Sequence, residues 1–120
     1  MKSAVPLTLA AALACIAVGS APAQPNRGEL IAAGHALALD SCAACHVVAT
    51  DQKSPPVLDP PAPNFSAIAA RSDMSEASLR KFLDSLHRHI ARTDRMPNWM
   101  LSDSQIDKLV AYIVSLKQGH

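Results

Sequence analysis

The chain has 120 residues, 49% apolar, 18% charged and 3% aromatic, with a formal charge of +1 at pH 7. Near neutrality excludes a nucleic-acid binder that works through a strong basic excess, and the length suits one domain. With so little aromatic surface the core is short of filling, and small domains in that position draw on a disulfide, a metal or a cofactor.

Lys2 is followed by an apolar run over 7–18 and then by Ala21-Pro22-Ala23. These are the charge, apolar core and small-residue site of a secretory signal peptide. The run is shorter than the ~20 residues of a spanning helix, and Pro6 breaks it at its start. The segment 1–23 is therefore read as the signal and 24–120 as the mature domain, exported or periplasmic. The protein is membrane-associated only if that segment is retained as an anchor. Cys15 follows Ala12-Leu13-Ala14, a poor match to a leucine-led lipobox, and leaves with the signal. The mature chain keeps Cys42 and Cys45 and, without Lys2, is formally neutral.

Leu30, Ala33, Gly34, Leu37 and Ala38 recur at helical spacing and predict a helix over 29–45. Pro55, Pro56, Pro60, Pro61 and Pro63 crowd the stretch 54–63, which predicts an extended loop wrapped around something inside the domain. Over 75–90, Leu79, Phe82, Leu83, Leu86 and Ile90 make a second helical stripe, with Asp73 and Glu76 resembling a capping box. Ser102 with Gln105 caps the last helix, whose stripe is Ile106, Leu109, Val110, Ile113 and Leu116. Nothing alternates long enough for a strand. The expected fold is all-α, with about three main helices.

The chemistry concentrates in Cys42-Ala43-Ala44-Cys45-His46. A structural zinc site needs four ligands, and here one cysteine pair stands apart from the scattered His35, His87, His89 and His120. A thioredoxin-like dithiol needs a strand-helix setting that is missing, and a plain disulfide gives His46 no role. Cys-x-x-Cys-His in an exported chain is the attachment signature of c-type haem. Residues three and four apart at a helix end share a face, so Cys42 and Cys45 can each add to a vinyl group while His46 reaches the iron.

A haem iron in an electron carrier takes a second axial ligand, for which the candidates are Met74, Met96, Met100, His87 and His89. Met96 stands out because Pro97 restricts it to extended backbone and so puts it in a loop. Met100 is read as core packing, and His87 and His89 as surface histidines.

In "GHALALDSCAACH", "APNF", "RMPNWMLSD" and "LVAYIVSL", in that order, the chain resembles the class I mono-haem cytochrome c family over about 28–117. The resemblance implies one haem c attached through Cys42 and Cys45, with His46 and Met96 as axial ligands. It also implies that the carbonyl of Pro63 orients His46, with Pro60 and Pro61 as near alternatives. Gly34 and Tyr112 would meet where the first and last helices cross, although Ala38 stands where the family often has an aromatic residue. Trp99 has a haem propionate or simple packing as its alternatives. The implied function is single-electron transfer between redox partners, not enzymatic catalysis. The alternatives are a haem subunit of a larger redox complex or a haem-based gas sensor. Arg80, Lys81, Arg88, Arg92 and Arg95, set against Asp84 and Asp94, make a basic segment beside Met96. It is read either as a solvated face or as a docking surface for a redox partner.

Overall fold

The computed structural model describes residues 23–85 and 100–119, which form four α-helices and a closing 3-10 turn. Helix α1 (Arg27–Ser41) starts two residues earlier than its apolar spacing suggests, because Asn26 and Glu29 form a reciprocal capping box. It also ends earlier. The backbone leaves the helix at Cys42, so the Cys-x-x-Cys-His run lies on the turn beyond it.

Helix α2 (Phe65–Ala69) is one short turn that the hydrophobic spacing does not signal. Its cap does: Asn64 accepts from the Ala67 N–H at 2.6 Å. Helix α3 (Glu76–Ser85) is capped by Ser75 and Ser78 in place of the expected Asp73 and Glu76. The Ser75 hydroxyl accepts from the Ser78 N–H and the Ser78 hydroxyl accepts from the Ser75 N–H. Asp73 instead pairs with Arg71 at 2.9 Å. Leu79 and Leu83, one turn apart, are buried, whereas Phe82 lies off that narrow stripe and stays 49% exposed. Leu86 and Ile90 of the same predicted stripe lie outside the described residues.

Helix α4 (Asp103–Ser115) carries the predicted Ser102–Gln105 capping box and supplies the centre of the core through Ile106, Leu109, Val110, Tyr112 and Ile113. Leu116 is partly buried against that cluster. Helix α1 is the main partner of α4. They are in tight contact at Gly34, where an added Cβ would overlap the Lys108 carbonyl and come within 2.7 Å of Tyr112 Cβ. Ala38, one turn on, is fully buried. Two small residues therefore let the helices cross in contact, with no aromatic residue at Ala38. Among the described residues no strand forms, and the fold is all-α. No described helix is long and apolar enough to cross a membrane.

Candidate haem-attachment site

The turn after α1 is held by backbone bonds of helical type: the Cys42 carbonyl accepts from the N–H of Cys45 at 3.1 Å and of His46 at 3.0 Å. Cys42, Cys45 and His46 thus keep a common face even though the helix proper has ended. Both cysteines are free thiols of intermediate exposure. Burial, and then the neighbouring Cys45, pushes the Cys42 thiol up to about 11, so at neutral pH it stays protonated.

The proline-rich loop wraps this turn, as its composition predicts. Val57 N–H donates to the Ala44 carbonyl at 2.9 Å and Ala62 N–H donates to the Cys45 carbonyl at 2.9 Å. The Asp59–Pro60 bond within it is cis. Beyond Ala62 the two segments run side by side in a parallel bridge between His46 and Ala62, and Phe65 N–H donates to the Val47 carbonyl. Pro63 has no N–H to give, but its carbonyl faces His46.

His46 is 8% exposed, and its Nδ1 lies 2.7 Å from the Pro63 carbonyl oxygen. A carbonyl can only accept, so Nδ1 carries a hydrogen, and in the neutral imidazole Nε2 then keeps its lone pair. Nε2 has no hydrogen-bond partner among the described residues. A buried imidazole with one nitrogen oriented by a carbonyl and the other without a partner among the described residues suits an iron ligand. The two thiols beside it suit covalent attachment, so the residues present fit a c-type haem. The ring stacks obliquely on Phe65 at 5.4 Å, and Phe65 lies 6.5 Å from Tyr112. Among the described residues no three His, Cys, Asp or Glu side chains gather to bind a bare metal ion.

The profile of the Cytochrome c family matches residues 31–117. The chain belongs to the cytochrome c family. It is 38% identical over 87 residues, 71% of this chain and 75% of the other, to cytochrome c-552 of Bradyrhizobium diazoefficiens. No solved structure matches significantly. Together with the helical fold, these matches make it a class I mono-haem c-type cytochrome. Its cofactor is covalently bound haem c, and the family's activity is haem-based electron transfer with redox partners.

Other predicted site residues fare differently. Met96 lies outside the described residues, as do Arg88, Arg92, Arg95, His87, His89 and Trp99. Met100, expected in the core, is 92% exposed. Leu101, next to the Ser102 cap, packs on the core in its place. Arg80, one of the predicted docking residues, forms an ion pair with Asp107 of α4, while Lys81 is exposed. Gln52, which motif reading passes over, bonds to three backbone groups around the turn.

Proposed function

We propose that the chain is an exported single-haem electron carrier, cycling between ferric and ferrous haem with His46 and Met96 as axial ligands. The observation that carries the reading is the imidazole of His46, buried, oriented through Nδ1 by Pro63 and unpartnered at Nε2 among the described residues. Cys42 and Cys45 are the attachment residues. With haem bound, the thiols of Cys42 and Cys45 would hold it by addition to its two vinyl groups, sulfur to one carbon and hydrogen to the other, with no oxidant consumed. Pro63 holds the imidazole plane and raises its basicity through the Nδ1 hydrogen bond. Met96 would supply a thioether, which favours the ferrous state over what a second histidine would give.

With His46 and Met96 both bound to the iron, no coordination site would be open to a substrate, and the chain would act as a carrier and not as an enzyme or a gas sensor. Export is supported by the signal-like segment 1–23, whose removal leaves 24–120 as the mature domain. Docking to an acidic partner surface is assigned to Lys81, Arg88, Arg92 and Arg95, with Arg80 drawn partly away by Asp107.

The test is optical and mass measurement of the protein matured in a host able to attach c-type haem. One haem should survive denaturation and acid-organic extraction, and carbon monoxide should bind the ferrous protein poorly. Replacing Cys42 and Cys45 by alanine should leave little stable holoprotein. A colourless protein with a Cys42–Cys45 disulfide, or ready uptake of carbon monoxide, would contradict the carrier reading.

A further inference from the structure

Every backbone carbonyl of the attachment turn from Cys42 to Cys45 is tied down. The Cys42 carbonyl is held by the N–H groups of Cys45 and His46, that of Ala44 by Val57, and that of Cys45 by Ala62. The Ala43 carbonyl is the exception in kind: it accepts from a side chain, Gln52 Nε2, at 3.3 Å. The same amide nitrogen donates to the Ser54 carbonyl at 2.8 Å, and Gln52 Oε1 accepts from the Val48 N–H at 2.9 Å. The amide cannot be flipped, because Val48 offers only a donor and the two carbonyls offer only acceptors.

We propose that Gln52 is a positioning residue for haem attachment and axial ligation. It fixes the Ala43–Ala44 peptide plane on one side of His46 and the Val48 N–H on the other. The inference rests on Cys42 and Cys45 as attachment residues and His46 as an iron ligand. Its physical basis is that a released Ala43 carbonyl lets the peptide between the two cysteines rotate. Rotation there changes the relation of the two sulfurs to the imidazole without unfolding the core. Gln52 thereby acts on the iron through His46, as outer-shell partners do.

The test compares wild type with Gln52→Met, Gln52→Glu and Asn26→Ala, all matured in a competent host. Gln52→Met keeps the length and loses all three bonds. Gln52→Glu keeps the acceptor for Val48 and loses both donors. Asn26→Ala removes the cap at the far end of α1, a stability control about 22 Å along the helix from the turn. The readouts are the fraction of chains carrying both thioethers by mass, the ferric electron paramagnetic resonance spectrum and the reduction potential, each taken where all variants are folded.

Gln52→Met should lower the doubly attached fraction on the order of tenfold, the low end for outer-shell partners, and shift the ferric spectrum and the potential. Gln52→Glu should fall between it and wild type. Asn26→Ala should melt earlier with spectrum and potential unchanged. If Gln52→Met melts earlier but keeps wild-type attachment, spectrum and potential, Gln52 only braces the loop and the inference is overturned. A wild type without thioether-bound haem would instead overturn the reading on which it rests.

Discussion

The hydroxyl of Tyr112 donates to the backbone carbonyl of Val48 at 2.8 Å, joining residues 64 apart in sequence inside the core. Val48 lies two residues after His46, so this bond anchors the segment that follows the Cys-x-x-Cys-His turn to α4. Tyr112→Phe leaves the buried carbonyl without its partner and should cost about 1–3 kcal/mol of stability, read by chemical denaturation of holoprotein.

The same residue predicts a pH dependence. Burial, and then Asp51, raises the Tyr112 phenol above its usual value. A pKa higher in the folded than in the unfolded state contributes stability that is present below about pH 10 and lost as pH rises through the folded value. Denaturation curves should weaken in that alkaline window for the wild type, and the Tyr112 share of the loss should vanish in Tyr112→Phe.

Gly34→Ala should destabilise the fold despite alanine's better helix propensity. The gain is about 1 kcal/mol. The added methyl meets the Lys108 backbone and Tyr112 Cβ, neither of which can swing aside, and such overpacking costs about 1–3 kcal/mol. A melting temperature lower by several degrees is expected. An unchanged or higher value would mean that the α1–α4 crossing is free to separate.

Met96→Ala and Met100→Ala separate the two methionines that flank Pro97. Met96→Ala should lower the reduction potential and admit carbon monoxide to the ferrous protein, because the proposed thioether ligand would be lost. Met100 is almost wholly exposed, so Met100→Ala should stay within about 0.5 kcal/mol of wild-type stability and leave the potential alone. The reverse pattern would move the ligand to Met100.

Charge reversal at Arg88 and Arg92 should slow electron transfer with an acidic partner on the order of tenfold at low salt and flatten its salt dependence. Reversal at Arg80 should do less, since Asp107 already offsets that charge. Stopped-flow rates indifferent to all three substitutions and to ionic strength would leave the segment as a solvated face.

The features legible in the sequence are those encoded within a few residues. Cys42, Cys45 and His46 stand out by their spacing, and the signal-like segment 1–23 tells a haem-attachment signature from a zinc or dithiol pair. Ser102 with Gln105 marks a helix start, and the α4 stripe marks its buried side, because helical geometry places residues three and four apart together whatever the rest of the chain does. Asn26 and Asn64 carried signals of the same local kind.

Tertiary closure decided the rest. Among three nearby prolines, only the path of the loop settles that the carbonyl of Pro63 meets His46. Gln52 reaches Ala43, Tyr112 reaches Val48, and Asp107 captures Arg80 across separations that no periodicity encodes. Phe82 and Met100 look like core residues by type and are exposed because burial depends on which face the neighbouring helices cover. A local pattern fixes which groups lie on one side of an element, whereas a hydrogen bond or a buried contact exists only once distant segments have been brought within a few ångströms.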